Sequence, residues 1–423
     1  MRSIYLPLGL AVLSIQPWFA AAQTVKPMAA APSQQAGAST SAPPLSLQTA
    51  LQRALQANPE LLVAAREIEI SEGGIVQAGT RPNPELALLT EGLQKENRTT
   101  TLQLNQVLEL GGKRLARIAV AERERDAAQA DLANRRAEVR AQVVAAFFEV
   151  LAAQQRLQLA QAGQQLARQV SEAAARRVTA GKVSPLEQTR ARLAETGASI
   201  ELGQAASELA LARSRLAAAW GSAVPDFGQL AAPENQPAAR SGLPELLSRL
   251  PAAPQLVRAR LEVGRQQAQA EMERSRWLPD LTLSLGSKRD EQAGRSQAIV
   301  GLSMPIPLFD RNQGNLLSAL RRADKARDQL AATQQRLAVE LTQAYQRAEA
   351  ADAELALLRT EVLPGAQGAY EAAARGFELG KFNFLDVLDA QRTLFQGKSH
   401  YLRALAESHR AMADVGRILG TQA

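Results

Sequence analysis

Apolar residues recur every three or four positions along most of this chain, and in two places the period shortens to two. Val139, Val143, Phe147 and Val150 form one helical stripe. They lie in a tract from Lys113 to about Arg177 with no proline and almost no glycine. At ~1.5 Å per residue this tract is a rod of roughly 100 Å, coiled-coil territory rather than the helix of an ordinary domain. "TAGKVSP" ends it, and a second helix is predicted from Pro185 to Trp220. Upstream, helical patterning begins near Leu45, breaks at Asn58-Pro59 and resumes over about 60–79. Between that segment and the rod, Thr100 to Asn105 alternate, with Leu102 and Leu104 on one face, so two short strands joined through "QKENR" form a hairpin.

The same order then starts again. "EAAARRVTAGKVSPLE" begins at Glu172 and "EAAARGFELGKFNFLD" at Glu371, 199 residues later. Pro254 answers Pro59 and Pro279 answers Pro84 at an offset of 195; Leu308 answers Leu110, and Ala344-Tyr345 answers Ala146-Phe147, at 198. Gly380-Lys381 answers Gly181-Lys182, and Gly420 answers Gly221, at 199. "DLTLSLG" from Asp280 alternates, and "SQAIVGLSMPIPLF" supplies its partner strand. Chance pentamers do not hold register in this way, so the chain is an internal duplication of roughly 200 residues. A first repeat over 45–220 (helix, two strands, long helix, turn, helix) is followed by a Pro- and Gly-rich connector, 221–244. A second repeat in the same order over 245–420 and a tail, 421–423, complete it. One departure matters: the second rod, expected from about Arg311, carries Pro364-Gly365 where the first has Gly163-Gln164, and a proline there kinks a helix.

Aromatics make up only 4% of the 423 residues, which argues against a large conventional globular core. The net charge of +7 invites a nucleic-acid partner. However, stretches such as "AERERDAAQADLANRRAEVR" interleave both signs as a solvated helical face does, so no nucleic acid is expected. Arg2, an apolar stretch from Ile4 to Phe19 and Ala20-Ala21-Ala22 read as an export signal over 1–22, followed by a flexible segment over 23–44. There is no cysteine, hence neither a disulfide scaffold nor an acylated N-terminal cysteine. No later apolar run reaches the ~18 residues of a membrane helix. If the chain enters a membrane it does so as a β-barrel, and since the smallest such barrels have about eight strands, several chains must each contribute four.

Three segments carry a resemblance: "LELGGKRLARIAVAE" (108–122), "PLFDRNQG" (307–314) and "GKFNFLDVLDAQ" (380–391). With the architecture, they resemble the TolC-like outer-membrane factor family, most closely its CzcC-like cobalt-zinc-cadmium efflux branch. The resemblance implies a mainly α fold with a small β part. Internally duplicated long helical hairpins form a periplasmic α-barrel, and four strands per chain enter a shared trimeric transmembrane β-barrel. It implies a homotrimer in outer-membrane lipid that meets a periplasmic adaptor and an inner-membrane pump of the resistance-nodulation-division type. The function implied is a passive exit duct for divalent heavy-metal cations. A duct for organic compounds or for a type I secretion substrate, or less readily a periplasmic coiled-coil adaptor, are the alternatives.

The repeated turns are the candidate adaptor-contact tips: Gly181, Lys182 and Ser184 in one, Gly380, Lys381 and Asn383 in the other. Glycine suits a left-handed helix end and lysine its negative pole, so an ordinary helical hairpin accounts for the same residues. By resemblance, Asp386 and Asp389, with Glu187 as the first-half counterpart of Asp386, fall on an acidic ring lining the periplasmic mouth. Such a ring favours cations. Capping is the rival reading, since acidic residues stabilise a first helical turn. Where some family members hold the mouth with a tyrosine and an arginine, Phe377 and Phe382 stand, implying an apolar constriction. His400 and His409, nine residues apart, point to opposite faces of one helix and read as surface residues. No catalytic constellation, cofactor motif or metal-ligand set is apparent, so neither an enzyme nor a bound cofactor is expected.

Overall fold

The computed structural model describes residues 44–92, 94, 97–181, 183–231, 241–379, 381–382 and 384–421. The expected export signal and all but the last residue of the segment after it lie outside the described residues. The first run of elements is α1 (Leu47–Ala57), α2 (Pro59–Ala78), β1 (Glu85–Glu91), β2 (Thr99–Leu108), α3 (Lys113–Thr179) and α4 (Pro185–Ala218). After the connector come α5 (Leu243–Arg249), a 3-10 turn (Leu250–Ala252), α6 (Pro254–Ser275), β3 (Leu281–Asp290) and β4 (Arg295–Ser303). The chain continues through α7 (Gln313–Leu357), a π turn (Leu358–Val362), α8 (Leu363–Glu378) and α9 (Phe384–Leu419).

Local chemistry sets these boundaries. Asn58 ends α1 and caps α2: its Oδ1 accepts from the Leu61 amide at 3.1 Å, and Pro59 occupies the first helical position, where a missing N–H costs nothing. The second rod begins at Gln313, two residues later than expected, because Asn312 adopts φ 60° and its amide donates to the carboxylate and carbonyl of Glu273. The rod is interrupted where proline demands it. The ring of Pro364 would collide with the carbonyl four residues back, and the wider π turn immediately before it opens the spacing. The first rod, with no proline, runs unbroken for 67 residues.

Four parallel or antiparallel rods lie side by side. α2 and α4 stack end to end along α3: Arg135 of α3 faces Glu60 of α2 at 3.9 Å, while Glu149 accepts from Arg215 of α4 at 2.7 Å. The join is close. Asn58 donates to the Ala219 carbonyl at 2.8 Å, and Gly221, at φ +77°, presses against the Pro59 ring. α6 and α9 stack the same way, with Gly420 (φ +72°) against Pro254, so a side chain at either glycine would meet a proline. α3 packs on α2, α4, α6 and α9, and α7 packs on α6 and α9. The outer rods are therefore α2/α4 on one side and α7/α8 on the other. Large apolar residues are exposed on both: Leu62, Val63, Ile70 and Val76 on α2, Leu193 and Ile200 on α4, Leu317, Val339 and Leu357 on α7.

The packed centre sits where the stripes meet. Val139, Val143, Phe147 and Val150 are at most 1% exposed and pack with Leu209, Leu216 and Ala54. In the second half Leu337, Leu341 and Ala344 of α7 are as deeply buried, against Leu256 and Ile418. Ion pairs lace the rods outside this core. Glu262 of α6 accepts two hydrogen bonds of 2.8 Å from Arg265, whose guanidinium also lies 3.6 Å from Glu124 of α3. The expectation for the histidines needs correcting. His400 is exposed, but His409 is half-buried and stacks on Phe148 of α3, ring centroids 3.5 Å apart and planes within 4°. The face it occupies is covered by α3, which helix periodicity within one segment cannot reveal.

The strands form one antiparallel sheet in the order β1-β2-β3-β4. Its register aligns Leu86, Leu104, Leu285 and Val300 in one row, with Leu88 beside Leu102, and Leu283 beside Leu302. That face is mainly apolar, with Gln106 beside Leu283 and Ser287 beside Leu102 as its polar members. Alternate residues put Gln103, Asn105, Thr282, Ser284, Lys288, Asp290 and Gln297 on the other, where the Ser284 hydroxyl and Asn105 side chain meet at 2.7 Å. Gly286 lies so close to β2 that a Cβ would meet the Leu102 carbonyl oxygen. β1 has seven residues and the others 10, 10 and 9. No helix among the described residues is long and apolar enough to cross a membrane.

Candidate functional site

The two turns that join α3 to α4 and α8 to α9 hold the residues singled out above. In the first, the Ala180 amide donates to the Arg176 carbonyl at 3.1 Å, and Gly181 takes φ +69°, the left-handed value a helix end favours. Ser184 caps α4: its hydroxyl accepts from the Leu186 amide at 3.2 Å, with Pro185 behind it. Glu187 is exposed in the first turn of α4, where its charge suits the positive helix pole, so capping accounts for its position. Lys182 lies outside the described residues.

The second turn closes differently. The amides of Lys381 and Phe382 both donate to the Gly376 carbonyl, at 2.8 and 3.2 Å, and the Phe382 ring folds back onto Gly376 so tightly that no Cβ fits there. Gly380 and Asn383 lie outside the described residues. Phe377 points elsewhere: the Arg177 guanidinium sits 4.6 Å above its ring centroid, joining the end of α3 to the end of α8. Phe377 and Phe382 thus have different partners. Arg177 and Gly376 occupy the same repeat position, 199 residues apart. One reaches across to the other hairpin, and the other makes room for a ring.

Asp386 and Asp389 are exposed on α9, one helical step apart, while Val387 and Leu388 between them are buried. They line a groove between α9 and α4 whose floor is Gly163 and Ala167 of α3. Arg190 and Glu201 of α4 and Arg392 of α9 share it, so the aspartates face a mixed rather than purely acidic surface within one chain. Glu187 is not part of this groove. Gly163 is required there: a Cβ would come within 2.6 Å of the Phe395 ring, which lies across it. Among the described residues no group of three His, Asp or Glu side chains could hold a metal ion. Arg177, Arg190 and Arg392 were not singled out from the sequence. Only the mismatch of Arg177 with Gly376 in the repeat could have pointed to one of them.

A family model described as outer membrane efflux protein matches twice, over residues 50–222 and 248–421. The chain belongs to the outer membrane efflux protein family. It is 47% identical to the cobalt-zinc-cadmium resistance protein CzcC of Cupriavidus metallidurans, over 99% of this chain and 100% of that protein. It is also 29% identical to the nickel-cobalt-cadmium resistance protein NccC of Alcaligenes xylosoxydans xylosoxydans, over 68% of this chain and 66% of that one. Among solved structures, the outer membrane protein VceC of Vibrio cholerae superposes with a TM-score of 0.74 at 21% identity, covering 89% of this chain and 96% of that one. CusC superposes with a TM-score of 0.74 at 18% identity, covering 89% and 92%. At these identities the likeness speaks for the fold alone. The resemblance read from the three quoted segments, to the outer-membrane factors and their CzcC-like branch, is borne out. As an outer membrane efflux protein the chain resides in the outer membrane of a Gram-negative bacterium, with its helices extending into the periplasm.

Proposed function

We propose that three copies of this chain close into one exit duct, through which divalent heavy-metal cations leave the periplasm. The observation that carries this reading is that every layer of the chain is open at both sides. Among the described residues β1 and β4 are unpaired sheet edges, and α2/α4 and α7/α8 are outer rods bearing exposed leucine, valine and isoleucine. An open sheet edge is untenable in lipid, and four strands are too few to close alone. Repeating the chain around a three-fold axis joins β4 to the next β1 and α7/α8 to the next α2/α4, removing every edge at once. The apolar sheet face then meets lipid and the polar face lines the lumen.

Cobalt, zinc and cadmium are the cargo best supported, because the relative that matches over the full length is a resistance protein for those metals. The duct itself is passive and holds no cofactor. Energy and selectivity come from an inner-membrane pump, reached through a periplasmic adaptor that docks at the Gly181 and Lys381 turns. The closed mouth is held by Arg177 on Phe377, with Asp386 and Asp389 presenting charge to the pore. Deleting the gene tests the cargo. Hypersensitivity to zinc, cobalt and cadmium, restored by complementation, is expected. Sensitivity to dyes, detergents and antibiotics with unchanged metal tolerance would overturn the metal assignment and leave the duct.

A further inference from the structure

The apolar face of the sheet is too short for the membrane it must cross. On β2 it runs from Leu102 to Leu108, interrupted by Gln106, six residue steps. That is about 20 Å along the strand, and about 15 Å along the membrane normal at the usual tilt, against an apolar band ~25 Å tall. The shortfall cannot lie at the hairpin end, because the next row there is Thr90, Thr100, Arg289 and Ser296. It has to lie at the end where the strands meet the helices.

An apolar surface continues the band at that end. Val300, Leu302, Met304 and Ile306 are alternate residues, all exposed, and the last two follow the end of β4. Pro305 and Pro307 flank Ile306 and cannot extend the ladder. Beyond them Phe309 is 91% exposed, and on the connection into β3 Trp277 is 59% exposed. Charge follows at once: Asp310 and Arg311 are exposed, the Arg311 Nε 3.3 Å from the Pro307 carbonyl, and the half-exposed Arg276, paired with Glu273 at 2.9 Å, adjoins Trp277. Aromatic residues beside arginines are the arrangement that suits a bilayer surface, rings at the acyl boundary and guanidinium groups at phosphates. The first repeat has Gly111 where the second has Phe309, so the surface is one-sided within the chain.

We infer that Met304, Ile306, Phe309 and Trp277 form the inner-leaflet part of the membrane band, anchoring the duct in phospholipid, with Arg276 and Arg311 at the headgroups. The inference rests on the outer-membrane barrel reading, and its occupant is lipid rather than a neighbouring copy. The test uses tryptophan fluorescence of the exported protein in vesicles of phosphatidylcholine brominated at shallow or deep acyl positions. Trp277 is read in a Trp220→Phe background; F309W and, as a reference on the sheet, L285W are read with both Trp220 and Trp277 replaced by Phe. We expect L285W to be quenched best by deep bromines. Trp277 and F309W should lose most of their emission to shallow bromines and be shielded from aqueous iodide. Quenching by iodide instead would put these residues in the periplasm, and quenching by neither would put them against protein. Either result with L285W quenched overturns the anchor alone. Failure of L285W to respond overturns the barrel reading and the anchor with it.

Discussion

The guanidinium of Arg177 lies 4.6 Å above the centre of the Phe377 ring, linking two hairpin ends written 200 residues apart. An exposed contact of this kind is worth about 0.5–1 kcal/mol. Across three copies in a ring the effect on closure accumulates. Arg177→Ala and Phe377→Ala are each expected to raise the resting conductance in planar bilayers several-fold, while Phe377→Tyr, which keeps the aromatic face, leaves it near wild type. Equal conductance in all three would remove this pair from the gate.

The mixed groove makes a second, signed prediction. Asp386→Asn with Asp389→Asn removes two negative charges beside Arg190 and Arg392, so the reversal potential in a salt gradient should move toward anion preference. Arg190→Gln with Arg392→Gln should move it the opposite way. If neither pair shifts the reversal potential, the groove faces away from the conduction path.

Much of this architecture is legible in the residues themselves, and what is not has a common cause. The stripe Val139–Val143–Phe147–Val150 needs only helical period to be read, and its members are indeed the most buried of α3. Pro364 announces a break, though not that a π turn would precede it. Asn58-Pro59 and the strand alternation are equally local. By contrast, the pairing of Arg177 with Phe377, of Gly163 with Phe395 and of His409 with Phe148 joins helices far apart in sequence. Periodicity says that a side chain lies on a face, but not which element covers that face. The groove arginines escaped for the same reason: in a chain so rich in arginine, only the neighbour singles one out.

Gly163 offers a stability prediction. Any larger residue must displace the Phe395 ring, so Gly163→Val should destabilise by about 1–3 kcal/mol, as overpacking generally does. Combined with Phe395→Ala the two changes should be strongly non-additive, because the second removes the ring with which the first collides. Thermal unfolding of the two single variants and the double variant reads this directly.

The sheet register predicts an asymmetry between neighbouring residues. Val300→Arg puts a charge on the apolar face and should cost about 2–4 kcal/mol of folding into vesicles, as arginine does near a bilayer midplane. Gln297→Arg, on the opposite face, should be close to neutral. Equal costs, measured by denaturant titration in lipid, would mean the faces are assigned the wrong way round.

Acid should weaken the Glu262–Arg265 pair on α6. The Arg265 hydrogen bonds hold the Glu262 carboxyl below its usual range, opposed by desolvation and helped by Gln266. A carboxylate lowered on folding contributes stability above its unfolded pKa of about 4.3, and that contribution fades as pH falls through the lower folded value. Because the pair is partly exposed, the effect should stay below about 1 kcal/mol. Glu262→Gln should therefore lower stability slightly at neutral pH and flatten its decline below about pH 4. A decline of unchanged steepness would exclude Glu262 as a contributor.

In the proposed duct the open edges of one chain are closed by two others. The chain contains no cysteine, so introduced pairs report without background. Single cysteines along β1, Glu85 to Glu91, combined with single cysteines along β4, Arg295 to Ser303, should give disulfides in intact outer membranes for one register of pairs. A covalent species of three chains that ends there, reverting to monomer on reduction, is expected. Only monomer in every pairing, or a ladder running past three, would contradict it.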